Sequence, residues 1–352
     1  MRVMATGGTG FTGSHSVRRF REAGHDVRLL VRDRDKVRRV FDPFEIGFDD
    51  ADVVVGDVTD EASVARAMEG CDAVFHAAAL VDMRRSMARR VLETNAAGVE
   101  RVVGGAHRRG LPRIVYVSSA SVFFSPGCGP IRLDMPIAEA TTAYGRSKAA
   151  AERDVSRMQG EGASIRVSYP VGIVGPHDPG MSDANHALWT FMTQMGVHTS
   201  SGFQTVDVRD LADLHLALLE KEGGPCGYVA AGPMLSWRET YGVLESVTGR
   251  PIRRISIPGP VFRAMGTLGD LAKRVRDFSF PLTRDAMEYA TQWPGCSAAE
   301  TTEELGIDFR DAPASFADTL RWMFEAGHLD AHHVGRVADP PAGGLSAPGA
   351  AS

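Results

Sequence analysis

The glycine-rich segment Thr6-Gly7-Gly8-Thr9-Gly10-Phe11-Thr12-Gly13 constrains the fold of this 352-residue chain more than any other feature. It follows an apolar run, residues 2–6, that predicts a buried strand, and it precedes a helical pattern over residues 14–23. Glycine permits a tight turn whose backbone approaches a pyrophosphate, and the N-terminus of the next helix offers free N–H donors. The segment therefore predicts a dinucleotide-binding turn; a tight turn without a ligand is the alternative.

Short apolar runs alternate with helical patterns up to about residue 169. The runs that predict strands are residues 2–6, 27–31, 53–55, 73–75 and 113–117, and the helical patterns include residues 14–23, 63–69 and 91–109. Such alternation predicts an α/β fold, a Rossmann-type doubly wound parallel sheet covered by helices on both faces. From about residue 236 the pattern becomes more helical and less regular, which predicts a smaller, mostly helical C-terminal substrate lobe.

These patterns divide the chain into predicted parts. Residues 1–170 form the dinucleotide-binding domain, to which residues 203–222 return, and residues 171–202 and 223–330 form the substrate-binding lobe. The last segment, residues 331–352, is rich in Pro, Gly, Ala and Ser, and this composition predicts a disordered tail.

Charge and composition exclude several classes of protein. A net charge of −5 offers no basic field for nucleic acid, and no apolar run approaches the roughly 20 residues of a membrane span. The N-terminus leads directly into the glycine-rich turn, which leaves no room for a signal peptide and predicts a cytoplasmic protein. The four cysteines fit neither a disulfide framework nor a zinc pattern, so we expect reduced thiols and no metal site.

The end of the second predicted strand bears on the choice of nucleotide. Val31 occupies the last strand position and Arg32 follows it, whereas an acid there would bind the adenosine ribose of NAD. Because Arg pairs well with a 2'-phosphate, the pattern favours NADP(H), and Asp33 keeps NAD(H) as the alternative. Further predicted contacts follow other strands: Asp57 and Val58, then Ala77, Ala78 and Ala79, although the alanines also suit core packing.

A third motif carries the chemistry. Tyr144 and Lys148 lie four residues apart, on one face of a predicted helix, in a chain with only four lysines. Ser119 follows the strand at residues 113–117. A phenol next to an ammonium is suited to general acid–base catalysis of hydride transfer to a carbonyl, and a serine hydroxyl can hold the same oxygen. We therefore expect Tyr144 to protonate a carbonyl oxygen and Lys148 to lower the pKa of the phenol.

The whole set of motifs resembles the extended short-chain dehydrogenase/reductase superfamily, the NAD(P)-dependent epimerase/dehydratase group, and within it dihydroflavonol-4-reductase-like proteins. The markers are TGGTGFTG at 6–13, VRLLVRD at 27–33, HAAA at 76–79, VSSASVF at 117–123 and YGRSK at 144–148. The resemblance implies that Ser119, Tyr144 and Lys148 are catalytic and that Asn95 supports proton transfer through a water. It also implies that Pro170 lines the nicotinamide, and that Arg32 with Lys36 or Arg39 meets the 2'-phosphate.

Three functions follow from these observations. We expect first an NADP-dependent reductase or alcohol dehydrogenase acting on a hydrophobic small molecule. The alternatives are an NAD-dependent nucleotide-sugar epimerase and a non-catalytic NADP-sensing protein. A dehydratase is disfavoured because Ser119-Ala120-Ser121 contains no acid. The apolar segment at 181–203 suggests a bulky, uncharged substrate, or else core packing. The small residues in helices 91–109 and 144–158 suggest a homodimer interface, or else contacts with the sheet.

Overall fold

The computed structural model describes residues 1–82, 84–275 and 283–339, except the side chains of residues 273–275. Its strands are β1 (Arg2–Thr6), β2 (Asp26–Val31), β3 (Val53–Val55), β4 (Ala73–His76), β5 (Arg113–Val117), β6 (Ile165–Pro170), β7 (Gly172–Val174), β8 (Gly196–His198), β9 (Gly202–Asp207), β10 (Cys226–Ala230), β11 (Met234–Ser236) and β12 (Arg254–Ser256). Each strand predicted from the sequence is present, with bounds that differ by at most one residue at either end.

The helices of these residues are α1 (Phe11–Glu22), α2 (Arg34–Phe41), α3 (Glu61–Met68), α4 (Ala88–Gly98), α5 (Gly105–Arg108), α6 (Ala143–Gly160), α7 (Asp183–Thr193), α8 (Val208–Glu220), α9 (Trp237–Thr248), α10 (Gly259–Val275), α11 (Arg284–Gln292), α12 (Ala299–Leu305), α13 (Ala312–Glu325) and α14 (Ala331–Val334). A π-helical segment, Val99–Gly104, joins α4 to α5. No helix in the described part of the chain is long and apolar enough to cross a membrane.

A seven-stranded sheet forms the centre of the described chain. Its order is β3-β2-β1-β4-β5-β6-β10, and every neighbouring pair is parallel. Val3, Met4 and Ala5 on β1 are fully buried, as expected for a strand covered on both faces. The strand order reverses at the neighbouring strands β1 and β4, which is the switch point of a doubly wound fold. The predicted Rossmann-type fold is therefore confirmed.

Parallel pairing brings the carboxyl ends of the strands to one edge of the sheet. The turn after β1 meets the turn after β4, where the Ala77 N–H donates to the Thr6 carbonyl at 3.1 Å. The β5 end is fixed to β6, because the Ser118 N–H donates to the Ser168 carbonyl at 2.9 Å. The glycine-rich turn, the alanines and the serines of the sequence motifs thus share one edge, where ligands of such sheets bind.

The small residues of the predicted dimer helices serve the interior of this chain. Val102 and Val103 in the π-helical segment, and Ala151 and Val155 in α6, are buried in the core that covers the sheet. Their apolar sides therefore face the sheet, which is the second of the two roles that the sequence allows. The homodimer stays a prediction.

Two predicted domain boundaries are wrong. The sequence pattern assigns residues 226–230 to the substrate lobe, yet they form β10, which pairs with β6 from Cys226↔Arg166 onward. The same pattern returns strand β9 to the first domain, yet it lies between β7 and β11 in a separate three-stranded sheet. Of the predicted segment 203–222, α8 packs against the first domain, where His215 Nδ1 and Ser16 Oγ lie 2.7 Å apart. Pairing between segments about 30 to 60 residues apart leaves no local pattern, so the sequence could not reveal it.

The second lobe has its own core. The apolar segment at 181–203, which suggested a substrate pocket, packs in this core. Leu188 is fully buried in it, and the Phe191 ring contacts Trp237 and Tyr241 at centroid distances of 5.9 and 5.4 Å. Phe203 stacks on Trp237 at 5.8 Å. These side chains stabilise the lobe, so they carry no information about the substrate.

The predicted disordered tail begins too early. Residues 331–334 form α14, and Gly335–Ala338 form a 3₁₀ turn. Val334 and Val337 are buried in the second core, with exposures of 0% and 4%. Burial of these two valines stabilises the segment although the surrounding residues are mostly small or polar. The remaining tail, residues 340–352, lies outside the described residues.

Candidate active site

The glycine-rich turn presents an uncapped helix N-terminus. Helix α1 begins at Phe11, three residues earlier than predicted, with Gly10 as its N-cap. No side chain caps it and its first turn contains no acid. The N–H groups of the first helical residues have no partner inside the helix, and they carry the positive end of the helix dipole. This end of α1 therefore has the donors that a pyrophosphate needs.

Two glycines are required by close approach of the backbone. A Cβ on Gly13 would lie 2.1 Å from the Gly7 carbonyl oxygen, and one on Gly7 would lie 2.6 Å from the Ala77 carbonyl carbon. Gly7 also has a φ of +73°, which other residues adopt at a cost. The turn can thus pack against the β4 end only with glycine at these positions.

A cavity of about 220 Å³ opens at this edge of the sheet. Its lining brings together most of the residues that the sequence predicted for the cofactor: Gly7, Thr9, Gly10, Arg32, Lys36, Asp57, Val58, Ala77, Ala78 and Ala79, with Asn95 from the catalytic set. Leu30, Val31, Gly56, Leu80 and Thr94 complete it. Phe11, Thr12 and Gly13 contribute the helix end, while Arg39, Ser119, Tyr144, Lys148 and Pro170 are not part of this lining in the described chain.

The charges at the end of β2 are divided between the cavity and α2. Arg32 is exposed and lines the cavity with Lys36. The Asp33 carboxylate caps α2 by accepting the N–H groups of Asp35 and Lys36, at 2.9 and 3.3 Å. Arg39 pairs with that carboxylate at 3.2 Å and lies outside the cavity lining, so of the two candidates Lys36 stands beside Arg32 at the cavity. The cavity wall here is cationic.

Asp57 supplies the negative charge on the same wall. Burial raises the pKa of its carboxyl group, but the N–H and hydroxyl of Thr59 and the charges of Arg32 and Arg90 outweigh that effect, so the pKa lies below its usual value. Both Thr59 groups are bound to Oδ1, at 2.9 and 2.8 Å. The side chain is therefore ionised at neutral pH and fixed in orientation.

Asn95 joins the cavity to the helix that carries the tyrosine and lysine. Its Oδ1 accepts the Leu80 N–H at 2.7 Å, and its Nδ2 donates to the Leu80 carbonyl at 3.1 Å and to Ser147 Oγ at 2.9 Å. Ser147 Oγ in turn donates to the Tyr144 carbonyl at 2.7 Å. Both amide protons are used, so Asn95 holds α4, the loop after β4 and the first turn of α6 together.

Tyr144 and Lys148 lie one helical turn apart in α6, as predicted. Burial raises the pKa of the Tyr144 phenol to about 12, and the Asp183 carboxylate contributes in the same direction. Burial also lowers the pKa of Lys148 to about 8, which the Glu152 carboxylate opposes. The expected lowering of the phenol pKa is therefore not present in the free protein, because desolvation disfavours the charged form of both groups.

The lysine, the serine and the proline are anchored at neighbouring strand ends. Lys148 Nζ donates to the Val117 carbonyl at 3.0 Å, at the end of β5, and lies 5.4 Å from the centre of the Tyr116 ring. Two residues further, the Ser119 and Ser121 hydroxyl oxygens lie 2.9 Å apart. Pro170 ends β6 and pairs with Ala230. These contacts place the lysine and serine motifs at the same sheet edge.

Several polar residues that the sequence interpretation missed belong to this site. Ser147 links Asn95 to Tyr144, and His76 Nδ1 lies 2.6 Å from Thr6 Oγ1 beneath the glycine-rich turn. Glu152 is 2% exposed and binds Ser118 and Tyr169. Glu152 had a detectable signal, because it falls one further turn along the face that carries Tyr144 and Lys148.

The fold and the cavity define the class of protein: an NAD(P)-dependent oxidoreductase with a Rossmann-type domain. The model of the NAD dependent epimerase/dehydratase family matches residues 3–231. The chain belongs to this family, and its type is that of the extended short-chain dehydrogenases/reductases.

Curated relatives match over nearly their whole length. A protein of Synechocystis sp. that is provisionally assigned as a dihydroflavonol 4-reductase is 27% identical over 92% of this chain and 95% of its own. Sterol demethylase protein B of Methylococcus capsulatus is 27% identical over 94% and 100%. A 4-hydroxy-2-methyl-3-oxo-4-farnesyl-3,4-dihydroquinoline-1-oxide ketoreductase of Stigmatella aurantiaca is 27% identical over 93% and 98%.

Solved structures share the fold. The crystal structure of gox2253 has a TM-score of 0.77 and 24% identity, and the alignment covers 93% of this chain and 99% of that one. A UDP-glucose-4-epimerase from Stenotrophomonas maltophila, with bound NAD and formylated UDP-arabinopyranose, has a TM-score of 0.73 and 20% identity over the same shares. At these identities the likeness establishes the fold alone.

Proposed function

We propose that this protein is an NADP-dependent reductase or alcohol dehydrogenase of a hydrophobic small molecule. One observation carries the proposal. Arg32 and Lys36 line the cavity at the end of β2, while the nearby acid, Asp33, caps α2 and pairs with Arg39. A cationic wall suits a 2'-phosphate. A reductase draws on free NADPH, whereas an epimerase regenerates a retained NAD, so the NADP preference supports net reduction.

The residues of the chain are suited to binding this cofactor. The uncapped end of α1 would hold the pyrophosphate, and Gly7 and Ala77 line the cavity at the ends of β1 and β4. The bound nicotinamide supplies or accepts the hydride. Arg32 and Lys36 would hold the 2'-phosphate, and the ionised Asp57 would orient the adenosine end.

Two observations support the proton-transfer roles that we propose: the raised pKa of Tyr144 and the anchoring of Lys148. With a pKa raised to about 12, the Tyr144 phenol holds its proton at neutral pH and can donate it to a carbonyl oxygen that gains charge during reduction. Ser119 would donate a hydrogen bond to the same oxygen. The Lys148 ammonium, fixed by the Val117 carbonyl, would stabilise the phenolate left behind.

The substrate class rests on the relatives. Three relatives that match over nearly their whole length carry names that refer to a flavonoid, a sterol and a farnesylated quinoline. We infer that this chain also acts on a ring ketone or secondary alcohol with a large apolar surface. The homodimer and the cytoplasmic location stay predictions, and light scattering of the purified protein tests the first.

Nucleotide preference provides the first experiment. We expect the purified chain to bind NADPH at least about tenfold more tightly than NADH, since one charge-assisted contact is worth roughly 1.5–3 kcal/mol. Arg32→Ala should remove most of this difference. Arg38→Ala is the matched control, because Arg38 is an exposed arginine on α2 outside the cavity lining. Tightly retained NAD without net NADPH oxidation would favour the epimerase instead.

Turnover provides the second experiment. A panel containing a flavanonol, a 3-ketosteroid, a prenylated quinolone and a UDP-sugar is tested with NADPH and NADH side by side. We expect oxidation of NADPH with an apolar ketone and none with the UDP-sugar. Tyr144→Phe removes the proton donor and should lower the rate at least about 100-fold. Full turnover by this variant would contradict the assigned role of Tyr144.

A further inference from the structure

Glu152 is a buried acid that the proposed hydride transfer does not use. It lies on α6, one turn beyond Lys148, and only 2% of it is exposed. Its Oε2 accepts the Ser118 hydroxyl at 2.5 Å, and its Oε1 accepts the Tyr169 hydroxyl at 2.6 Å. Burial raises the pKa of the Glu152 carboxyl group, while the Ser118 and Tyr169 hydroxyls and the charge of Lys148 act in the opposite direction. Both carboxylate oxygens accept hydrogen bonds, which fits an ionised group. A buried charge of this kind needs compensation, and Lys148 is the cation on the same face of the helix.

The partners of Glu152 stand directly beside the predicted active-site residues. Ser118 precedes Ser119 at the end of β5, and Tyr169 precedes Pro170 at the end of β6. Lys148, on the next turn toward the start of α6, reaches the Val117 carbonyl. One carboxylate therefore connects α6 with the two strand ends that carry the rest of the site.

We propose that Glu152 is a positioning residue of the hydride-transfer site: its negative charge keeps Lys148 protonated, and its two hydrogen bonds fix the strand ends next to Ser119 and Pro170. The proposal rests on the proposed function for its catalytic consequence, while its electrostatic part concerns Lys148 alone. Glu152 acts through Lys148 and the strand ends and would not touch the substrate.

The groups around Glu152 come from every element packed against it. They are Lys148 on α6, Tyr116 on β5, Ser118 directly after β5 and Tyr169 on β6, while Cys226 on β10 lies near Tyr169. Glu152 and Tyr169 also line a second cavity of about 1010 Å³, which Arg132, Asp134 and Glu300 border as well. The phenols and the thiol are neutral near pH 7, since burial raises the pKa of each, so Lys148 is the group that responds to the charge of Glu152.

The four lysines of the chain permit a direct test. Protein carrying [ε-¹³C]lysine is expected to give four side-chain signals, and Lys148→Arg identifies the one that belongs to Lys148. In the full chain, Glu152→Gln should lower the pKa of Lys148 by about one unit, because a neighbouring anion favours the ammonium. Ser118→Ala and Tyr169→Phe remove one hydrogen bond each and keep the charge, so each should shift Lys148 less than Glu152→Gln does.

A Lys148 signal that titrates at the same pH in wild type and Glu152→Gln overturns the proposal. If Glu152→Gln does not fold, Glu152→Asp is used instead, because its side chain is one methylene shorter and moves the carboxylate away from its partners. This variant must also lower the pKa of Lys148, and an unchanged pKa overturns the proposal.

Kinetics separate this proposal from the proposed function. With a ketone that wild type reduces, activity that needs the ammonium is lost as pH rises, and Glu152→Gln should move this basic limb about one unit lower. A uniform loss at every pH indicates a merely structural role and contradicts the proposal. The absence of turnover with every ketone, together with the NMR shift, refutes the proposed function and leaves the electrostatic role of Glu152 standing.

Discussion

Replacing Gly13 by alanine tests the close approach of α1 to the turn after β1. The added Cβ would lie 2.1 Å from the Gly7 carbonyl oxygen, 2.6 Å from its carbon and 2.9 Å from the Gly8 Cα, all of which are backbone atoms. An ordinary contact needs at least 3.4 Å, so the turn and the helix must separate by about 1 Å. No side chain can move aside to relieve this clash.

The energetic consequences can be worked out from that displacement. Forced overpacking costs about 1–3 kcal/mol. Alanine has a helix propensity that is better than that of glycine by about 1 kcal/mol, so the free energy of unfolding should fall by about 0–2 kcal/mol. The N–H groups of the first turn of α1 move with the helix. Losing one or two charge-assisted hydrogen bonds to a pyrophosphate weakens binding by about 3 kcal/mol, or on the order of 100-fold in the Kd for NADPH.

Urea unfolding and fluorescence titration with NADPH measure the two effects. Gly242→Ala is the matched control, because Gly242 is also helical, within α9, but a Cβ added there would meet no atom within 4 Å. It should raise stability by about 0.5–1 kcal/mol and leave the NADPH affinity unchanged. Wild-type affinity and stability in Gly13→Ala would refute the reasoning about the turn.

Three further predictions concern stability. Asn95→Ala leaves both Leu80 backbone groups without their partner and should lower the free energy of unfolding in urea by about 2 kcal/mol. An unchanged midpoint of urea unfolding would contradict the role of Asn95 in holding α4, the loop after β4 and α6 together. Burial lowers the pKa of His15 to about 4 and of His76 and His215 to about 3. Below pH ~6.5 the unfolded chain therefore binds more protons than the folded chain. The free energy of unfolding should fall by on the order of 5 kcal/mol between pH 7 and 5. A free energy of unfolding that does not change over this range would show that these histidines are accessible. Arg209→Ala removes the cation from buried Asp207 and should cost about 3 kcal/mol, while Arg18→Ala, at an exposed pair with Glu22, should cost less than about 1 kcal/mol.

Local patterns account for the parts of the fold that the sequence predicted well. The strand before the glycines, the helix after them and the Tyr144–Lys148 spacing all depend on residues within one or two turns of each other. The sequence pattern places the start of α1 three residues late, because glycines disfavour a helix unless their positions are required by close packing, as at Gly13. Most of the residues predicted to bind the nucleotide line one cavity for a related reason: they follow parallel strands, whose ends meet at one edge of the sheet.

The tertiary structure decided between alternatives that the sequence left open. Arg39 is basic like Arg32, but its position on α2 brings it to Asp33. The aromatic residues near 190 could have lined a pocket or a core, and only their contacts with Trp237 and Tyr241 decide for the core.

The sequence by itself determined the class of fold, the glycine-rich turn after β1 and the placement of Tyr144 and Lys148 on one helix, because each depends on short-range spacing. Only the tertiary structure decided that β10 completes the central sheet and that residues 331–338 are ordered. It also decided that Glu152 stands between Lys148 and two strand ends. Strand pairing, burial and desolvation arise between segments far apart in the chain, so their effects on side-chain charge exist only once the chain has folded.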